Sequence, residues 1–283
     1  MSLLDASTIA LLEAVAAMAR KGSAGDRGGG LRKGVLTGGN EEFADYRPYR
    51  QGDDFRRIDW KPYLRFGEPF TKVFAKATSG SAFVLLDLSA SMGISPKKAA
   101  LAKRMAAAVG YLALCLGDRL TLELVRPENT VQVGPLEGKQ TVSTLIETLE
   151  GAAFSGRVSL DRAVSTSKAT AAARPAVVLV SDLFDTGRWA ESLRSLSARG
   201  SNVSVIQVLD EEEVNPSPKG NVELTDVETG ERIVKWLGEE AVSEYRKLFA
   251  QRQEELNDLL TAARASLTVV TTTDDLREVL MRL

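Results

Sequence analysis

Between residues 81 and 91 the sequence runs SAFVLLDLSAS, an unbroken apolar stretch that gives way to an aspartate and two serines. A second stretch, PAVVLVSDLFD (175–185), has the same shape and ends in Ser181, Asp182 and Asp185. Carboxylates and hydroxyls are hard oxygen donors, the set that suits Mg2+, which keeps several of its waters when bound. A continuous apolar run is the pattern of a strand covered on both faces, as in parallel sheets. Ligands of open parallel sheets gather beyond the carboxyl ends of the strands. Asp87, Ser89, Ser91 and Asp182 are therefore expected at one sheet edge as a candidate site for a divalent cation. The same residue types also cap helices and build turns with no metal present, and on spacing alone that reading leads.

A second concentration of chemistry lies in RPYRQGDDFRRIDW (47–60). One reading makes Asp53, Asp54 and Asp59 a carboxylate cluster for metal-assisted hydrolysis. The other pairs those acids with Arg47, Arg50, Arg56 and Arg57, with Tyr49 and Trp60 covering the pairs from water. Guanidinium forks bind carboxylates bidentately, and an unpaired buried charge costs several kcal/mol. Because the charges nearly balance, the structural network is the expectation, clamping this segment to the rest of the chain.

The residue types that are missing narrow the field. The chain has no histidine, which excludes Ser-His-Asp and Cys-His catalysis and histidine-ligated zinc or haem. Its lone cysteine, Cys115, sits in an alanine- and leucine-rich run and reads as a small buried hydrophobe. A net charge of −2 over 283 residues does not suggest a nucleic-acid binder. The charge is uneven, with five bases to one acid in 20–34 and fourteen acids to six bases in 210–260. Solvated faces account for that most simply, and a protein partner met through electrostatics is the alternative. The longest uncharged run, Met105–Gly117, is shorter than the about 20 residues needed to cross a bilayer. Asp5 and Glu13 interrupt the N-terminal apolar stretch, which has no basic leader. The expectation is a cytoplasmic chain without a membrane segment.

The elements that must position these residues follow from periodicity. Residues 3–20 read as a helix ended at Gly22, 22–34 as a Gly-rich basic loop, and TKVFAKAT (71–78) as a half-buried strand. Ser95-Pro96 supplies an N-cap and a first-turn proline for a helix to about Leu116, whose small residues (97–117) predict close packing on a sheet. Strands are expected at 81–88, 118–125, 130–134, 175–182, 202–209 and 266–272. Helices are expected at 139–150, 159–173, 188–199, 239–263 and 274–282. Residues 222–236 alternate around Glu228-Thr229-Gly230 as a hairpin, and DEEE (210–213) reads as a solvated loop. Strands alternating with helices predict an α/β fold with a doubly wound, mostly parallel sheet. Three regions result: 1–34, a small β-rich accessory region at 35–79, and an α/β domain at 80–283 with a hairpin insertion at about 210–237.

Taken together, these motifs resemble two known groups. Asp-x-Ser-x-Ser after the first buried strand, with an aspartate after a later one, is similar to the metal-ion-dependent adhesion site of von Willebrand factor type A domains. The set RPYxxGDDxRxIDW, LLDLSASM, VVLVSDLFD, DEEE and TDVETGE resembles the bacterial family called domain of unknown function 58, from about Gly38 onward. The resemblance implies that Ser89 and Ser91 bind Mg2+ or another divalent cation. It makes Asp87 a direct or water-linked ligand and places Asp182 in the outer shell, with a partner's carboxylate completing the set. The pattern's usual threonine is replaced by Val158, leaving Ser155 or Ser159 as third-loop alternatives. The implied function is that of a non-enzymatic adaptor for a MoxR-type AAA+ ATPase and its client. The alternative is a metal-dependent hydrolase using the Asp87/Asp182 crevice.

Overall fold

The computed structural model describes residues 3–21, 43–49, 58–59, 70–74, 80–185, 188–217 and 219–282. The chain divides into two compact units, Gly39–Ser79 and the remainder.

In the smaller unit, strands β1 (Phe43–Pro48), β2 (Ile58–Asp59) and β3 (Phe70–Phe74) form an antiparallel sheet in the order β1-β3-β2. Arg47 and Ile58 both sit opposite Thr71, while Pro48 and Asp59 both sit opposite Phe70. The backbone thus sets Arg47 and Asp59 on the two strands flanking β3, one register step apart. Asp53, Asp54, Arg56 and Trp60 of the expected ion-pair network lie outside the described residues, as do the Gly-rich loop at 22–34 and the end of the strand expected at 71–78.

The larger unit is an α/β structure around a six-stranded sheet. Its strands are β4 (Ser81–Asp87), β5 (Arg119–Val125), β6 (Thr130–Leu136), β7 (Ala176–Ser181), β8 (Asn202–Leu209) and β11 (Ala265–Thr271), in the order β11-β8-β7-β4-β5-β6. Every neighbouring pair is parallel except β5 and β6. The two first-read apolar stretches, β4 and β7, are hydrogen-bonded neighbours at the centre, where both faces must be covered.

Helices cover both. Alternate β4 residues Ala82, Val84 and Leu86 join a core with α1 (Ala6–Lys21), α2 (Pro96–Leu116), α3 (Val142–Glu150) and α8 (Leu276–Arg282). Phe83 and Leu85 point the other way, into a core with α4 (Leu160–Thr166), α5 (Trp189–Ala198) and α7 (Glu239–Ala262). The period-two alternation of a strand divides its side chains this way.

Helix α2 begins as the sequence predicts. Ser95 accepts from the Lys98 amide, Pro96 fills the first turn, and Gly117 closes the helix at φ 90°. Its small-residue stripe packs closely, since a methyl on Gly110 would lie 2.8 Å from Leu145 and 3.0 Å from Leu120. Cys115 is buried in this helix. By length and composition α2 could cross a membrane, but 67% of its most apolar window is buried inside the protein.

The hairpin expected near 222–236 is present as β9 (Gly220–Thr225) and β10 (Arg232–Leu237). The DEEE segment differs from its reading as a solvated loop. Glu211–Val214 forms a one-turn helix, α6, closed by a capping box between Asp210 and Glu213, because an acid at each of those positions satisfies the other's backbone donor.

Candidate functional site

Asp87 closes β4 and is 3% exposed. One of its oxygens accepts the Ser89 amide at 2.8 Å, and the other accepts the Ser181 hydroxyl at 2.7 Å. The loop beyond it is pinned from outside, with the Ala90 amide donating to Gly156 O and the Ser155 amide to Leu88 O, both at 2.8 Å. A 3₁₀ turn at Ser91–Gly93 follows, anchored by fully buried Met92. This turn brings the Ser89 and Ser91 hydroxyls to 3.0 Å from each other.

Asp182 follows β7 and is 2% exposed. Its Oδ1 accepts the Phe184 amide at 3.3 Å, while its carbonyl holds the Gln207 side chain at 3.1 Å. The next residue, Leu183, is fully buried at φ 61°. A leucine in left-handed backbone stores strain that the surrounding packing must over-determine, and such strain collects at functional sites.

Asp182 has a partner that sequence reasoning missed. Lys98, in the first turn of α2, is fully buried, with Nζ 2.9 Å from Asp182 Oδ2 and 2.8 Å from Glu213 Oε1. Glu213 in turn accepts the Asp210 amide, and Ser95 hydrogen-bonds Asp210. The capping box of α6 is thereby tied to the strand ends. In sequence Lys98 looked like one charge on a helix face and Glu213 like one acid in a run. Only a pairing of helix start with acidic segment, across more than a hundred residues, could have signalled the contact.

Asp87, Ser89, Ser91 and Asp182 all line one cavity of about 390 Å3. The four residues that the sequence grouped are thus brought together. The third-loop alternatives fall elsewhere. Ser159 caps α4 through the Arg162 amide, and neither it nor Ser155 reaches the cavity wall; Val158 does, buried and without a donor. Arg157, Asp185, Asp226 and Glu228 add the remaining charged groups of the lining, and Thr225 and Thr229 complete its polar part. Asp185 also caps α4 by accepting the Leu160 amide at 3.0 Å.

Five carboxylates thus face one guanidinium in this cavity. Burial, and secondarily the charge of Asp182, push the Asp87 carboxyl up to about 6 against the pull of its hydrogen bonds. Burial raises Glu213 despite Lys98 beside it, and it raises Glu228 although nearby Ser91 and Arg157 pull the other way. Of the cavity's acids, Asp87 and Glu228 are held above their ordinary range and a cation beside them would relieve both, while the amides of Glu228 and Thr229 hold Asp226 below it. Among the described residues no group of three or more Asp, Glu, His or Cys side chains is arranged to hold a metal by itself. A cation here would rest on the two serine hydroxyls as much as on carboxylates.

Comparison with known proteins places this geometry in a family. The family model described as "Protein of unknown function DUF58" matches residues 45–256. Uncharacterized proteins of Mycobacterium tuberculosis and Mycobacterium bovis are 29% identical over 203 residues, covering 70% of this chain. That match spans 64% of the length of those relatives. Among solved structures, a conserved hypothetical protein, BatB, from Bacteroides thetaiotaomicron is 15% identical with a TM-score of 0.43, covering 72% of this chain and 96% of that one. An aerotolerance-related membrane protein from Bacteroides fragilis gives 15% and 0.41 over the same shares. The chain belongs to the DUF58 family.

Proposed function

We propose that this DUF58 member is a non-enzymatic protein-binding adaptor whose larger unit is von Willebrand factor type A-like. It would hold Mg2+ or another divalent cation at the cavity beyond β4 and β7 and use it to capture an acidic side chain of a partner. The observation that carries this reading is the pair of serine hydroxyls, 3.0 Å apart, beside the buried carboxylates of Asp87 and Asp182. The donor set is all oxygen, as a hard cation requires.

The roles divide by what each side chain already does. Ser89 and Ser91 have hydroxyl lone pairs to offer. Asp87 accepts two hydrogen bonds and keeps lone pairs on both oxygens, so it serves as a ligand or orients one through water. Asp182 gives Oδ2 to Lys98 and Oδ1 to the Phe184 amide, and the lone pair left on Oδ1 makes it a second-layer acceptor. When bound, the cation supplies an open coordination position for a visitor's carboxylate. The partner class that the family resemblance suggests is a MoxR-type AAA+ ATPase acting on a client complex.

The test is direct. Mn2+ or Mg2+ should bind the purified chain with about one ion per molecule, and Ser89→Ala or Ser91→Ala should weaken it at least tenfold in calorimetry. Capture of the ATPase should be lost in chelator. Capture insensitive to chelator, with Asp87→Ala binding normally, would overturn the reading. Turnover in a phosphatase and nuclease screen with Mg2+ or Mn2+ would replace it with the hydrolase alternative.

A further inference from the structure

The β9–β10 hairpin is an odd element for a compact domain. Its strands are exposed along most of their length, with Val234 at 73% and Trp236 at 69%, so among the described residues no apolar core holds it in place. Its tip is nevertheless ordered from within. Asp226 accepts the amides of Glu228 and Thr229 at 2.8 and 3.1 Å, and its carbonyl takes the Gly230 amide at 2.8 Å. Gly230, at φ 76°, makes the reversal that a side chain would resist.

This stiff turn lies over the cavity, with residues 225–229 forming one of its walls. Within it Glu228 is half-buried while Asp226, Val227 and Thr229 are exposed. Glu228 lines this cavity together with Ser91, and its carboxylate lies 3.7 Å from Arg157 Nε. It thus shares a cavity with both serines of the site.

Resting on the cation-site reading above, we infer that Glu228 is the site's own in-chain ligand: the hairpin tip brings a carboxylate to the wall of the cavity that Ser89 and Ser91 line, where a partner's acidic side chain would enter. Hairpin and partner then compete for one place. A partner must displace Glu228, and the displaced hairpin swings its exposed apolar strands to a new position. Val158, which withholds the third-loop hydroxyl, leaves the cavity with room for a donor brought from this hairpin.

Spin labels at Glu231→Cys on the hairpin and Ser165→Cys on α4 read the closure; Cys115, being buried, stays unlabelled. In chelator the parent chain should give one narrow distance, and adding Glu228→Ala should lengthen and broaden it while the melting temperature stays put. With Mg2+ present, a tetraglutamate peptide should shift the parent distance toward that of Glu228→Ala. A narrow distance that survives Glu228→Ala overturns the inference. If the substitution opens the hairpin but the peptide does not, the competition with a partner is overturned. The two readings fail separately, because absence of Mn2+ binding to either chain sinks the cation site while the distance in chelator still decides the latch.

Discussion

Lys98 sits in the first turn of α2, where the helix dipole disfavours a positive charge, and its side chain has no exposure to water. Two carboxylates offset both penalties. Replacing it by methionine keeps the volume and leaves Asp182 and Glu213 uncompensated, so Lys98→Met should cost about 3–5 kcal/mol in denaturant unfolding, the usual consequence of breaking a buried ion pair from one side. Asp118 makes the opposite case. It is 2% exposed, one of its oxygens has no partner among the described residues, and burial raises its carboxyl from 3.8 to about 6. A carboxyl raised by folding lends its stability below its ordinary range and loses it as pH climbs through the raised value. Asp118→Asn should therefore stabilise the protein by about 1–2 kcal/mol at pH 7 and give no benefit below about pH 4, read from melting curves across that range. Single residues were legible where a strand end exposed them. Asp87, Ser89, Ser91 and Asp182 lie at the ends of β4 and β7, whereas Lys98 reaches Asp182 from a helix and Glu228 reaches the cavity from a hairpin, placements that no local pattern encodes.

Elements were easier to read than their ends. The strands at 202–209 and the cap at Ser95 match their expected positions, since apolar runs and Ser-Pro are strong local signals. The helix expected over 159–173 instead breaks at Ser167, which has extended backbone, and resumes as a 3₁₀ turn at Lys168–Ala171. The cause is tertiary. Glu123, fully buried on β5, accepts the Lys168 amide at 3.0 Å and draws the chain out of its helix, a demand invisible within the segment itself. The 3₁₀ turn at Ser91–Gly93 is similarly constrained, because a methyl on Gly93 would lie 2.6 Å from Phe154 Cβ, an atom with little freedom to retreat. Gly93→Ala should cost about 1–3 kcal/mol in thermal unfolding, as overpacking does. By displacing Ser91 it should also weaken Mn2+ binding, whereas a purely structural role would leave that affinity unchanged.

At the scale of the whole molecule, a bound ion should appear as stability. At one hundred times its dissociation constant a ligand of the native state adds about 2.7 kcal/mol. For a unit of this size that is about 5–10 °C of melting temperature. Mg2+ should produce a rise of that order in the parent chain and none in Ser89→Ala; an equal rise in both would assign the effect to other acids. The α/β architecture was legible from the alternation of apolar runs and helical periods, which are local. The division into two units was legible only as a change of texture near Gly80. The Lys98 contacts carry a further consequence. They join positions 84 and 115 residues apart in the chain, so ring closures of high contact order must precede the anchoring of Asp182. During synthesis, a growing polypeptide that has not yet released Glu213 from the ribosome lacks this anchor. Until then Lys98 is without its second carboxylate.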